Sequence, residues 1–136
     1  MFPNWIKTLY RFFTAVTRRL VVIPSGVNPV VIAGTAGVWG AFAGAGTEIA
    51  ATVGTIPVRI YQIDMSDPTA AVNYEVQIGH GPAGSETWLG VVTYNQESVT
   101  LPFPMEVPAG RRLAARCRDS AGGNTVAVKV LAYTIP

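Results

Sequence analysis

With 136 residues the chain has room for one domain, able to bury about two-thirds of its unfolded surface. Hydrophobic residues make up 49% and charged residues only 13%, against about a quarter charged in an ordinary soluble domain. That composition implies a membrane protein or a subunit covered by its neighbours. No uninterrupted run of about 18 apolar residues exists, and the longest quiet region, residues 20–45, is broken by Pro24, Pro29 and repeated glycines, so the covered subunit is the better explanation. The net charge of +2 conceals an asymmetry, with Lys7, Arg11, Arg18 and Arg19 and no acid in residues 1–19. The remaining six basic residues face all eight acids, so the body is slightly acidic. A single cysteine excludes an internal disulfide and fits a reducing cytoplasm, or a particle assembled in one.

Residues 1–22 read as a basic arm and residues 23–136 as the domain proper. In the arm, Phe2, Trp5, Ile6, Leu9, Phe12, Phe13, Val16 and Leu20 recur at intervals of three and four, the signature of one helical face. Asn4, Lys7, Thr8, Arg11, Thr14 and Arg18 fall opposite. Pro3 suits the first turn and Arg18–Arg19 the negative end of the helix dipole. The spacing predicts an amphipathic helix from about residue 4 to about residue 19, ended before Pro24. So short a helix is marginal in water. Burying its eight large apolar side chains is worth on the order of 10–20 kcal/mol. The arm must therefore dock, and its docking residues are Phe2, Trp5, Ile6, Leu9, Arg11, Phe12, Phe13, Arg18 and Arg19. Four surfaces are open to it: its own body, a partner subunit, a membrane interface, or the machinery that reads targeting peptides. Arg11, Arg18 and Arg19 interrupt the apolar core that a secretory signal needs. Four cations are a weak footprint for nucleic acid.

Beyond Leu20 the helical period gives way to short β-prone runs punctuated by Gly, Pro, Asn and Asp every 8–12 residues or so. Strands are predicted near 20–23, 29–33, 38–43, 47–53, 57–64, 72–79, 87–94, 98–103, 111–118 and 125–134. Tyr74, Val76 and Ile78 alternate with Asn73, Glu75 and Gln77. Leu113, Ala115 and Cys117 alternate with Arg112, Arg116 and Arg118, and Val126, Val128 and Val130 share a face. These are half-buried antiparallel strands. Gly122-Gly123 predicts a hairpin between the last two strands. The fold class is all-β, an antiparallel β-sandwich of jelly-roll type with an N-terminal amphipathic α-helix. Residues 34–46, GTAGVWGAFAGAG, permit close backbone approach. Trp39 and Phe42 then either fill the core or line a subunit contact.

Catalytic and ligand-binding patterns are weak. Residues 79–84 spell G-x-G-x-x-G after a strand, but Pro82 and a β-prone run follow where a dinucleotide site needs a helix. His80 is the only histidine; with Ser85 and Asp64, Asp67 or Asp119 it forms no triad in register, and no nucleophile elbow occurs. One histidine and one cysteine cannot build an ordinary zinc site, and Cys117 reads as a small core hydrophobe. No catalytic residue, cofactor or metal is expected. The outward row Arg112, Arg116 and Arg118 either pairs with Glu75 or Glu86 across strands or meets a neighbouring subunit.

The runs Tyr74-Glu75-Val76-Gln77-Ile78-Gly79, Gly81-Pro82-Ala83-Gly84-Ser85-Glu86 and Val107-Pro108-Ala109-Gly110-Arg111-Arg112-Leu113-Ala114-Ala115-Arg116 resemble a pattern in small tailed-bacteriophage virion proteins. There a strand ends in a glycine-rich loop, and a P-x-G-x-R segment leads into a final V-x-V hairpin. The resemblance covers roughly residues 56–134 and omits the arm. It implies a non-enzymatic virion component assembled in the host cytoplasm. A capsid decoration (cement) protein is favoured: a homo-oligomer, by preference a trimer, stabilising the shell through contacts with the major capsid protein. Arg112, Arg116, Arg118 and Trp39 would lie at subunit contacts. The alternatives are a fibre or adhesin module that holds host glycan on Trp88 and Tyr94, and a peripheral membrane protein anchored by the arm.

Overall fold

The computed structural model describes residues 3–7, 19–26, 29–35, 42, 46–94 and 98–134. Among these residues the chain is all-β: β1 (Leu20–Ile23), β2 (Val30–Thr35), β3 (Thr47–Ala50), β4 (Val58–Ser66), β5 (Tyr74–His80), β6 (Thr87–Tyr94), β7 (Val99–Val107), β8 (Leu113–Asp119) and β9 (Thr125–Thr134). The expected strands at 20–23, 87–94 and 125–134 coincide with β1, β6 and β9, and the other strands shift by a few residues at their ends. Of a strand expected over 38–43, only Phe42 is described, and it is not in a strand; the rest lies outside the described residues. Of the arm helix, residues 4–7 form one turn, with the Ile6 N–H donating to the Pro3 carbonyl at 3.0 Å; the rest of the predicted helix lies outside the described residues. No helix among the described residues is long and apolar enough to cross a membrane.

The strands follow one path, β6-β5-β8-β2-β9-β4-β7, in which two sets of ladders share β2. Its ends nearly meet, giving a barrel-like sheet: a Cβ on Gly90 of β6 would stand 2.8 Å from Met105 Cε of β7. The strand that joins the halves is β2. Its residues Val30 to Ala33 pair antiparallel with β9, and then Gly34 and Thr35 pair parallel with β8. The pairing corrects the expectation at Gly122-Gly123. No β8–β9 hairpin forms, because β2 lies between those strands and the connection carries the chain from one half of the sheet to the other. Both glycines have positive φ, 86° and 77°, as two-residue hairpins require, so the turn chemistry was read correctly and the pairing was not.

Side-chain alternation explains the core. Tyr74, Val76, Ile78, Leu113, Ala115, Cys117, Val126, Val128 and Val130 are all buried as their spacing predicts. In β4 the buried set is Val58, Ile60, Ile63 and Met65, an alternation that skips at Tyr61. The register of β4 with both β7 and β9 shifts between Ile60 and Gln62, so a bulge restores the inward phase. In β7 the partners jump from Met105 to Thr100 across that same shift, which sets Pro102, Phe103 and Pro104 out from the ladder. These prolines sit on a strand that ends the path, where a missing N–H costs least; Phe103 stands 83% exposed.

Tyr74 is the largest fully buried side chain, and its hydroxyl donates to the Ala70 carbonyl at 3.0 Å and accepts from the Ala70 N–H at 3.3 Å. Tyr74→Phe should therefore cost about 1–1.5 kcal/mol with no change of fold, read as a shift of the urea midpoint at constant slope. An unshifted midpoint would show that those bonds contribute nothing.

Candidate interaction surfaces

Two outward faces differ sharply in character. The first is carried by β5, β6 and β8. Antiparallel register sets Glu75 opposite Arg118 and Gln77 opposite Arg116, and the side chains close those pairs: Arg118 donates to Glu75, and Arg116 Nε donates to Gln77 Oε1 at 2.8 Å. The Arg116 guanidinium also lies 4.0 Å from the centroid of Trp88 and 5.1 Å from that of Phe42, and Arg118 lies 4.7 Å from Phe42. These are stacked cation–π contacts. Phe42 thus covers the face rather than filling the core. Trp88 is half-buried, and a Cβ on Gly46 or Gly79 would press on its ring at 2.6 Å. Its indole is engaged in packing, which weighs against its use as a sugar platform.

Arg112 ends the row in a knot. Its Nε donates to Glu48 Oε2 at 2.9 Å, its Nη1 to Glu86 Oε1 at 3.0 Å and its Nη2 to the Gly46 carbonyl at 2.9 Å. Glu86 Oε1 accepts the Gly46 N–H at 3.2 Å, and the Glu86 side chain is only 2% exposed. Burial pushes the Glu86 carboxyl up, but hydrogen bonds from its own backbone, Arg112 and Gly46 outweigh that and hold it below its ordinary range. The row therefore forms the cross-strand pairs that its spacing allowed, with Glu75 and Glu86 both engaged. Its cations are committed within the chain.

At the strand ends, Asp119 is buried as a whole residue. Its carboxylate accepts from the N–H groups of Ala121, Gly122 and Asn124 and from Asn124 Nδ2 at 2.9 Å. Burial raises its pKa, and these donors, Asn124 first, more than reverse that and leave it lowered. A Cβ on Gly34 would overlap this carboxylate, so β2 needs glycine where it changes partner. The buried Cys117 thiol is pushed up to about 12 by burial and then by the Asp119 charge, which makes it a poor nucleophile. His80 is half-buried, its pKa lowered by burial and by the Arg111 charge. Among the described residues no three of His, Cys, Asp and Glu gather to hold a metal.

The second face lies on the opposite half of the sheet and sets large apolar side chains beside the ion pairs Arg59–Glu106 and Lys129–Asp64. Leu20 and Val22 of β1 are 71% and 44% exposed, and Val31 of β2 is 62% exposed. Register sets Leu20 opposite Tyr133 and Val22 opposite Leu131, and the Tyr133 and Tyr61 rings lie 6.2 Å apart. Sequence reasoning missed this face, although it left a signal. The runs LVVI and VLAY lack the alternation of a half-solvated strand and read as strands covered on both sides. Around Val22 the face continues into a groove of about 250 Å³ lined by Val21, Ile23, Ala50 and Val53.

The arm enters β1 beside the end of β9. The Arg19 N–H donates to Thr134 Oγ1 at 3.2 Å, and the Arg19 carbonyl accepts the Thr134 N–H at 2.9 Å. Of the expected docking residues, Trp5 is 66% exposed, Ile6 half-buried and Arg19 exposed. Phe2, Leu9, Arg11, Phe12, Phe13 and Arg18 lie outside the described residues, as does Trp39. Comparison with protein-family models, with curated proteins and with solved structures returns no match.

Proposed function

We propose that this chain is a non-enzymatic assembly subunit, of the kind that decorates and stabilises a phage capsid through subunit contacts. The observation that carries the reading is the division of its surface. Charged side chains are largely paired within the chain, at Arg112, Arg118, Arg59 and Lys129, while Leu20, Val22, Val31, Phe103 and Trp5 stand exposed. A surface with few free charges and uncovered large apolar groups suits burial against other subunits. The virion setting rests on the sequence resemblance in residues 56–134, and the amphipathic arm is the part best suited to anchoring. Deleting residues 1–19 should weaken binding to capsid shells roughly 100-fold or more, the loss of two or more buried side chains. The shortened chain should keep its β circular dichroism. Undiminished decoration by a folded, shortened chain would remove the arm as anchor.

A further inference from the structure

We propose that the free edge of β1 pairs antiparallel with the β1 edge of a second copy of this chain, joining the two β1–β9 ladders into one sheet. The pairing rests on the assembly reading above and names one of its contacts. The other sheet edges are occupied or guarded. β6 and β7 close on each other where Gly90 meets Met105. β7 also carries Pro102 and Pro104, and β3 carries Glu48. Charge and proline are usual devices that keep an edge from taking on another strand. β1, Leu20-Val21-Val22-Ile23, pairs with β9 on one side and has neither.

Backbone geometry tells which groups face that edge. The Arg19 carbonyl accepts the Thr134 N–H at 2.9 Å, and successive residues of an antiparallel strand turn their N–H and C=O to opposite sides. Arg19, Val21 and Ile23 therefore face β9, while Leu20 and Val22 turn both backbone groups to the free side. Among the described residues no hydrogen bond reaches these four groups. Beside them opens the groove of about 250 Å³ that Val21, Val22 and Ile23 share with Ala50, Thr52 and Val53.

Register selects the occupant. With Leu20 opposite Val22 of the second copy, every one of these groups finds a partner, giving two N–H···O=C bonds at each of two such pairs about a two-fold axis through Val21. A shift of two residues one way brings in Pro24, which has no N–H; the other way runs past the start of β1. The strand is thus complementary to itself. Leu20 and Val22, 71% and 44% exposed, then lie side by side across the junction, where cross-strand neighbours pack. Arg19 falls opposite Ile23, so no like charges meet. Because the contact is isologous, it joins copies in pairs, not in the trimer that the resemblance implies.

Cysteine cross-linking of the full chain tests the register. Val21 meets Val21 of the second copy in a non-hydrogen-bonded pair, whose Cα atoms lie about 4.5 Å apart, within disulfide range. Val21→Cys should therefore give an interchain disulfide dimer on mild oxidation. Leu20→Cys, whose two copies lie diagonally at about 7–8 Å, should stay monomeric under the same oxidation. Analytical ultracentrifugation should find the parent dimeric, and Val22→Pro should associate roughly 10-fold more weakly or worse, since proline removes an outward N–H and leaves the β9 ladder intact. Circular dichroism checks the fold; if Val22→Pro does not fold, Leu20→Lys/Val22→Lys, which sets like charges opposite each other, takes its place. A monomeric parent, the result if the chain's own arm covers this edge, overturns the proposal. So do equal cross-linking of Val21→Cys and Leu20→Cys, and a folded Val22→Pro that associates as the parent does. A monomeric parent that still decorates capsid shells defeats the pairing and leaves the assembly reading standing. A dimer cross-linked through Val21→Cys that ignores shells does the reverse.

Discussion

Replacing Asp119 with alanine is expected to cost about 3 kcal/mol or more, lowering the melting temperature by about 10 °C in a chain of this size. The carboxylate is fully buried and accepts four N–H groups from the β8–β9 connection. Removing it strands those donors, and each buried unsatisfied donor costs about 1–3 kcal/mol. Water can reach part of the loop, since Ala121 and Gly123 are exposed, so the total falls short of four full penalties. The loop also fixes the place where β2 passes from β9 to β8, because the Gly34 N–H donates to the Asn124 carbonyl at 2.6 Å. Calorimetry of the variant checks the effect, and a loss under about 1 kcal/mol would contradict it. The sign of the pH dependence follows from the lowered pKa. The contribution is complete above the unfolded carboxylate range near pH 4 and is lost as pH falls through the folded value. Denaturation by urea at neutral and at acid pH should show this loss in the parent and a smaller one in Asp119→Ala.

Arg112→Ala is expected to be nearly as damaging, at about 3 kcal/mol, for a different reason. Glu86 is almost wholly buried and relies on Arg112 as its charge partner. Deleting the guanidinium leaves that carboxylate uncompensated and frees the Gly46 carbonyl as well. Arg112→Met combined with Glu86→Gln removes both charges, so it should recover much of the loss; a buried pair is worth little net, although breaking it is costly. Equal destabilisation in the single and double variants, measured by urea midpoint, would mean that the lost guanidinium hydrogen bonds to Glu48 and the Gly46 carbonyl, and not the uncompensated Glu86 charge, set the cost. The lowered pKa of Glu86 has the same sign as that of Asp119. Both therefore make the fold acid-labile, and in Arg112→Ala the share due to Glu86 should shrink.

Much of this was legible in the residues. Alternation at Tyr74, Val76 and Ile78, and at Leu113, Ala115 and Cys117, specified inward faces, because a strand has a period of two whatever its partners. The cross-strand partners of the arginine row were legible too, since Glu75 and Glu86 stood at compatible positions. Pairing order was not. Gly122-Gly123 has hairpin chemistry, yet whether two strands bond to each other depends on what lies between them. There β2 intervenes, a contact between residues far apart in sequence.

Bulges were equally hidden. Nothing local marks Tyr61 as the extra residue, and only two neighbouring ladders make the shift necessary. Asp119 looked like any turn aspartate until the loop folded around it. The sequence by itself determined the all-β class, the low charge and the inward-facing residues. These follow from composition and from a period of two residues. Tertiary structure alone decided the near-closed path of the strands, the burial of Asp119 and Glu86, and the outward exposure of Leu20, Val22 and Val31. Each depends on which distant segments share an edge, and no local period records that.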